Sequence, residues 1–526
     1  MTIHRRAFLK RLGFTAAGLS LVPTLRLSAA TVGAKLPRSS PEAQGVASAG
    51  ILAFLEAIGK SRHEFHSFIM ARHGQVIAEG WWTPYRATAP HMLYSLSKSF
   101  TSTAIGLAVT EGRLAVEDPV IKFFPDKAPS AVSENLAALR VKHLLSMSVG
   151  QAQDSIPIIC KEQDWVKTFL SLPIAHPPGS VFLYNSGATY MLSAIVQKLT
   201  GQKVVDYLRP RLFEPLNVAS VTWETCPLGI NTGGWGLAIQ TETIAKFAQL
   251  YLQNGLWNDR QLIPAAWVHQ ATTAKIQQPA PPGGDLEKLK LISEWHQGYC
   301  YQFWRCTHHG FRGDGAFGQY AIVLPEKDTV IAITSETADM PGEMALIWEH
   351  LYPAIKDAPL APDAAAHIQL QEALAALALP LAAGEIDSPL VQTLSGKTFK
   401  LEPNDSGFES LAFAAGPQSC TITLRDASSA YPISCGIGKW VESESNLPGI
   451  PQKLTVGDLR PVKVAASAAW KNPQTLTLLC RYYETPHHDT VTLQFDGDKV
   501  TLTRLGSIPQ MQSHPDPRPV LHGMMT

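Results

Sequence analysis

The chain has 526 residues, 45% of them hydrophobic and 17% charged, and a formal net charge of zero. That length and apolar share allow a large buried core and exclude a disordered chain. The even balance of charge supplies no electrostatic basis for a nucleic-acid partner.

The first thirty residues differ from the rest. "HRRAFLKRLGFTAAGLSLVPTLRLSAA" places Arg5 and Arg6 before Phe8-Leu9-Lys10, followed by a short apolar run and small residues at Ser28 and Ala30. This resembles a twin-arginine export signal cleaved after Ala30. Gly18 and Pro23 interrupt the apolar stretch, which argues against a membrane anchor. The expectation is a signal over 1–30 and a periplasmic or secreted mature chain, with no membrane association after cleavage. The signal carries five basic residues and no acids, so the mature chain is mildly acidic, with 39 bases against 44 acids. The seven cysteines are odd in number and include no Cys-x-x-Cys pair, so reduced, buried thiols are expected. Cys420 and Cys435 fall on predicted neighbouring strands, and no disulfide is assigned to them.

Along the mature chain, Ile51, Leu52, Leu55 and Ile58 recur at helical spacing. "FHSFIMARHGQVIAEGWW" then predicts two strands joined at His73-Gly74. From Ser95 to about 270 the pattern is mostly helical, beginning with a helix from Ser95 towards Gly112. Strands return at "GYCYQFWRC" (298–306) and at "FGQYAIVLPEKDTVIAITS" (317–335), the latter with a turn at Pro325–Asp328. Strands, a long helical block and strands again predict an α+β domain. Its antiparallel sheet is flanked by helices and takes strands from both ends, with a large helical insertion between them.

This domain is expected over 31–355. An Ala/Pro-rich linker with one helix is expected over 356–389. Alternating runs such as "SCTITLRD" and "DTVTLQFDGDKVTLTRL", the second turning at Asp496-Gly497, predict a small C-terminal all-β domain over 390–526.

The first chemistry-bearing signal is Ser95-Leu96-Ser97-Lys98. Residues i and i+3 of a helix share a face. A desolvated Lys98 could lose its proton near neutral pH and accept one from Ser95. At a helix start, the Ser95 N–H is also a candidate oxyanion donor. Alone the tetrapeptide is a weak signal, because two polar residues at a helix start would look the same.

Three elements together carry more: Ser95-x-x-Lys98, Tyr184-Asn185-Ser186, and the Gly-rich strand start "FRGDGAFGQYAIVLPEKD". With their surroundings, over about residues 37–355, they resemble the serine β-lactamase-like superfamily. That superfamily includes penicillin-binding proteins, class C β-lactamases, family VIII-type esterases and 6-aminohexanoate-dimer hydrolase-like enzymes. The resemblance implies a serine hydrolase without cofactor or metal that acts through an acyl-enzyme. Ser95 matches the nucleophile and Lys98 its basic partner. Tyr184 matches the tyrosine that serves as general base or as proton relay to the leaving group. As a base, its phenol would need cations such as Lys98 to stabilise the phenolate.

Two departures from the family pattern bear on the substrate. Class C enzymes place Asn second after the tyrosine, whereas here Asn185 comes first and Ser186 second, so either could be the polar contact. The third motif carries no lysine; Gly313-Asp314-Gly315-Ala316 stands in its place. The missing cation argues against strong β-lactam turnover and against a D-alanyl-D-alanine substrate. The Ala316 N–H is the candidate second oxyanion donor, beside that of Ser95.

Arg312 and Asp314 either reach a substrate carboxylate and amine or form a local ion pair at a turn. Gly315 and Trp235, the latter in the Gly233–Gly236 loop, complete the substrate-site candidates, with Trp81, Trp82, Tyr85, Tyr299 and Trp304 as possible pocket aromatics. "HEFH" at 63–66, His308-His309 and His487-His488 lack metal-ligand spacing, so no metal is assigned. The expected activity is hydrolysis of a small-molecule ester or amide, as an esterase or an amidase of the 6-aminohexanoate-oligomer type. The alternative is a catalytically weak, penicillin-binding-like module that recognises a ligand or the cell wall.

Overall fold

The computed structural model describes residues 35–218, 220–450 and 461–526; the signal expected over 1–30 lies outside them. Helix α1 (Ser48–Lys60) buries Ile51, Phe54 and Ile58 on one face. It leads into the hairpin of β1 (Glu64–Arg72) and β2 (Gln75–Trp81). His73 and Gly74 take φ values of 50° and 73°, the left-handed pair that a two-residue hairpin turn requires. The chain continues through a helical block that includes α2 (Ser97–Thr110), α3 (Ser186–Thr200) and α4 (Thr241–Leu252). It returns as β3 (Trp304–Arg305), β4 (Phe311–Gly315), β5 (Gln319–Leu324) and β6 (Thr329–Glu336).

These strands form one sheet in the order β2-β1-β6-β5-β4-β3, antiparallel at every step. Both ends of the domain therefore supply the sheet and the helical block is inserted between them, as the element order predicts. Alternation along the strands divides the core in two. Ile69, Ala71, Val330 and Ala332 pack on the helical block around Phe100 and Phe247. Phe68, Met70, Ile331 and Ile333 pack on α1, α5 (Met340–Leu346) and α6 (Ala364–Ala375). Each large side chain fully buried here contributes about 1.5–3 kcal/mol, so the sheet is clamped from both faces. Leu370 and Leu374 of α6 belong to this core, which ties the segment after residue 355 to the first domain.

The strand expected over 298–306 is reduced to Trp304–Arg305. Gly298 (φ 107°) and Gln302 (φ 65°) interrupt the extended backbone. The Gln302 side chain turns inward to donate to the carbonyls of Leu144 and Leu145, so these aromatic residues form a loop against the helical block.

Among the described residues after Gly396, ten strands follow: β7 (Lys397–Leu401), β8 (Ser410–Gly416), β9 (Ser419–Arg425), β10 (Ala430–Ile437), β11 (Val441–Ser445), β12 (Val462–Asn472), β13 (Thr475–Arg481), β14 (His488–Asp496), β15 (Lys499–Gly506) and β16 (Leu521–Met525). Their order is β10-β9-β8-β7-β16-β15-β14-β13-β12-β11. The far half of β12 also pairs with β10, through Gly436–Ser467 and Ile437–Ala468, which closes the sheet into a barrel. Phe399, Phe413, Trp470 and Phe495 fill its interior. All seven cysteines are free thiols. The barrel docks on the first domain: Ala465 and Tyr483 join the core cluster around α1, and Arg86 pairs with Glu442.

Candidate active site

Ser95 lies in a single 3-10 turn, Tyr94–Leu96, immediately before α2; the helix expected from Ser95 thus begins two residues later. The turn is pinned on several sides. Leu93 N donates to Leu237 O, and Ser97 Oγ donates to Tyr94 O and accepts from Leu237 N. Two glycines let the end of β4 approach it: a Cβ on Gly315 would lie 2.1 Å from Leu93 O, and one on Gly313 would lie 2.5 Å from Leu96 Cδ1. Gly315 therefore serves by having no side chain. Ala316, the next residue, lines the same cleft as Ser95.

Lys98 follows Ser95 by about one helical turn and is buried. Its Nζ donates to Ser95 Oγ (2.9 Å), Ser186 Oγ (3.0 Å) and Gly234 O (2.8 Å), using all three ammonium hydrogens. Burial pulls its pKa from 10.5 down to about 7, against the opposing pull of Asp154 and Asp314. A lysine so placed exchanges its proton near neutral pH.

Tyr184 is half-buried, and its ring lies 4.8 Å from Lys98 Nζ. It lines the same cleft as Ser95. Burial, reinforced by the Asp314 carboxylate, pushes its phenol well above the ordinary value. Lys98 does not create a phenolate here. Of the two roles expected for Tyr184, the proton relay fits these electrostatics and the phenolate base does not.

Asn185 is not a cleft residue. It caps α3 by accepting from Gly187 N at 3.0 Å, accepts from Ser155 Oγ and donates to Gln151 Oε1. All three contacts point it into the protein, and Ser186 is left as the polar partner of Lys98. Trp235 is likewise a core residue, stacked on Trp165 with its carbonyl accepting from Trp223 Nε1. The loop identified around it does reach the site, through the carbonyl of Gly234.

Arg312 and Asp314 form a buried ion pair, with Nη2 and Oδ2 3.0 Å apart. Arg312 is fully buried, donates to the carbonyls of Glu294 and Arg305 and lies over the Trp295 ring. It is therefore enclosed by Trp295, Glu294 and Asp314 and cannot receive a substrate carboxylate. Asp314 lines the cleft, and burial raises its pKa against the pull of Arg312 and Lys98.

The cleft has a volume of about 780 Å³ and is lined by Ser95, Tyr184, Asp314 and Ala316 together with Phe182, Trp295, Trp304 and Met340. Trp304 stacks on Tyr184, and Tyr299 packs edge-on behind them. Trp82 and Tyr85 are buried elsewhere, Tyr85 against His66. Sequence reasoning missed Asp154, Trp295 and the Gln278–Pro282 edge of the cleft. Asp154 accepts from Ser186 N and acts on Lys98 through charge. No motif surrounds it, so only its place in space identifies it.

A serine hydroxyl beside a lysine near its titration point, under an antiparallel sheet with an inserted helical block, defines a serine hydrolase. The family comparison narrows the class. The chain belongs to the Beta-lactamase family, whose model matches residues 64–352. The 6-aminohexanoate-dimer hydrolase of Paenarthrobacter ureafaciens is 24% identical over 295 residues, which are 52% of this chain and 73% of that protein. Penicillin-binding protein 4 of Amycolatopsis lactamdurans is 26% identical over 276 residues, covering 45% of this chain and 70% of its own. Among solved structures, a candidate beta-lactamase from Bacteroides dorei superimposes with a TM-score of 0.50 at 15% identity, over 58% of this chain and 99% of that one. This likeness is one of fold.

Proposed function

We propose that this serine hydrolase cleaves a carboxylic ester or a small amide through an acyl-enzyme on Ser95. The observation that carries the reading is the 2.9 Å approach of Lys98 Nζ to Ser95 Oγ, with the lysine pKa brought to about 7. Neutral Lys98 accepts the Ser95 proton as Oγ attacks the carbonyl carbon. The N–H groups of Ser95 and Ala316 hold the oxyanion. Tyr184, protonated, passes its proton to the leaving alcohol or amine as the tetrahedral intermediate collapses and takes one back from protonated Lys98, which returns to its neutral form. Water then attacks the acyl-enzyme with Lys98 again accepting the proton, and Ser95 is restored.

The site's own groups narrow the substrate. The cleft is walled largely by apolar side chains, and Asp314 disfavours an anion beside Ser95. Arg312, the nearby guanidinium, is closed off from the cleft. Among the described residues lining the cleft there is no lysine or arginine to meet a β-lactam carboxylate, and neutral or amine-bearing esters and amides are the better substrates. The similarity to a 6-aminohexanoate-dimer hydrolase is consistent with the amide branch. The twin-arginine-like sequence over 1–30 supports export to the periplasm or secretion.

The test is hydrolysis of p-nitrophenyl butyrate by the mature protein, beside Ser95→Ala and Tyr184→Phe. We expect turnover to fall about 10³-fold or more in the Ser95 variant. Undiminished turnover in that variant would overturn the assignment. Stoichiometric acylation of Ser95 without turnover would select the weak recognition module instead.

A further inference from the structure

The C-terminal barrel approaches the Ser95 turn through one side chain. Tyr94, the residue before Ser95, holds φ at +48°, a left-handed conformation that costs a bulky residue free energy unless its surroundings enforce it. Its hydroxyl meets His487 Nε2, 393 residues further along the chain. Phe317, the residue after Ala316, also has positive φ, +68°. Its ring packs edge-on against Tyr94 at 5.1 Å and against His487 at 4.9 Å. One imidazole therefore touches both the residue before the first N–H donor and the residue after the second.

His487 is itself held from behind. Its Nδ1 is 2.6 Å from Glu336 Oε1, and the other oxygen of Glu336 is 2.9 Å from His488 Nδ1. Ser507 donates to the same carboxylate. Burial opposes the charge on Glu336, but these histidine contacts hold its carboxyl well below the usual range. His487 Nδ1–H donates to the carboxylate, which leaves Nε2 to accept from the Tyr94 hydroxyl.

Adjacent strand residues would point to opposite faces, yet His487 and His488 both reach Glu336 because His487 lies in the loop before β14. Glu64, Glu336 and His488 bring ligand-type atoms within 4.8 Å of one another. Arg481, paired with Glu64, and the two histidines on Glu336 already occupy that cluster, so it is a hydrogen-bonded network around one ion pair. From the same loop, Glu484 O accepts from Met92 N at 2.9 Å, a second tether on the segment leading to Ser95.

We propose that the barrel is part of the catalytic unit, with His487 a positioning residue whose contacts with Tyr94 and Phe317 set the spacing of the Ser95 and Ala316 N–H groups. This rests on Ser95 being the nucleophile. His487 touches no reacting atom. Its effect falls on oxyanion stabilisation, and so on kcat more than on KM.

The experiment measures kcat and KM of the full mature chain on p-nitrophenyl butyrate, with Ser95 labelling by a fluorophosphonate probe in parallel. The variants are Tyr94→Phe, His487→Leu, the double variant, His487→Gln, Arg86→Ala and Ser95→Ala. Misplacement of reacting groups by about 1 Å costs about 10²-fold. We expect kcat and labelling rate to fall 10- to 100-fold in Tyr94→Phe and in His487→Leu, with KM within about threefold. The double variant should be no worse than either single one. His487→Gln, whose amide oxygen can accept the phenol hydrogen, should recover much of the loss.

Arg86→Ala breaks the barrel contact with Glu442, which involves neither Tyr94 nor Phe317, and should leave kcat unchanged. Wild-type kcat in Tyr94→Phe, which loses only a hydroxyl and decides even where His487→Leu does not fold, would overturn the proposal. So would an equal loss in Arg86→Ala. Turnover retained in Ser95→Ala would overturn the nucleophile reading, and the proposal with it; a dead Ser95→Ala beside an active Tyr94→Phe overturns the proposal alone.

Discussion

Lys98 Nζ stands 2.9 Å from Ser95 Oγ, and the same ammonium reaches Ser186 and the Tyr184 ring, on and beside the start of α3. The pair is formed by neighbours three residues apart, but its electrostatics come from elements far along the chain. The helical block excludes water from Lys98, and Asp154 and Asp314 supply the opposing charge.

The pH dependence of turnover follows. Only neutral Lys98 can accept a proton, so kcat/KM should rise with pH through an apparent pKa near 7. Lys98→Arg stays charged at every working pH, and should lose about 10²–10⁴-fold and flatten that limb. The same shift has a stability consequence. The folded-state pKa is depressed below 10.5, so the unfolded chain binds the extra proton between about pH 7 and 10.5. The contribution of Lys98 to stability therefore grows as pH rises through that window and is lost as pH falls through 7. Rate profiles and urea melts of wild type and Lys98→Met check both.

Arg312 should matter to folding before it matters to chemistry. Arg312→Met leaves Asp314 buried without its cation, a change that costs about 3–5 kcal/mol. Asp314→Asn in the same chain should recover most of that loss by removing the orphaned charge. Chemical denaturation of the single and double variants reads the difference. An exposed, substrate-binding arginine would instead raise KM and leave the unfolding midpoint in place.

Asn185→Ala removes the cap of α3 and its contacts with Gln151 and Ser155. Loss of the cap alone costs about 0.5–2 kcal/mol. The melting temperature should fall while KM for a small ester stays within about threefold. A raised KM at unchanged stability would restore Asn185 to the cleft.

Glu343, on α5, is fully buried with neither carboxyl oxygen hydrogen-bonded, and burial raises its carboxyl pKa well above 4.5. Its folded-state pKa lies above the unfolded one, so its contribution is fully present below about pH 4.5 and declines as pH rises from there. Glu343→Gln removes that dependence. The stability gap in favour of the variant should widen with pH, by at most about 1.4 kcal/mol per unit. Melts at pH 4, 6 and 8 measure it.

What could be read from the sequence by itself is what short-range geometry dictates. Ser95 and Lys98 share a helix face because three residues make almost one turn. The His73-Gly74 hairpin, the β5–β6 turn and the alternating strands of the barrel follow from local conformational preference in the same way. The order of strands and helices then sufficed to place the helical insertion within one sheet.

Side-chain direction at loops and element ends was decided only by tertiary packing. Asn185 and Ser186 are adjacent polar residues, and the pull of Ser155 and Gln151 turns the first inward. Arg312 was equally suited to a substrate or to Asp314, until Glu294, Arg305 and Trp295 enclosed it. Trp235 drew notice as an aromatic residue, but the site uses the carbonyl of its glycine neighbour, which has no residue-type signature. His487 has no local link to Ser95; the docking of the barrel puts its imidazole on Tyr94. Periodic backbone sets the spacing of near neighbours, whereas contacts across hundreds of residues depend on which surfaces exclude water from one another, and that is settled only when the whole chain has packed.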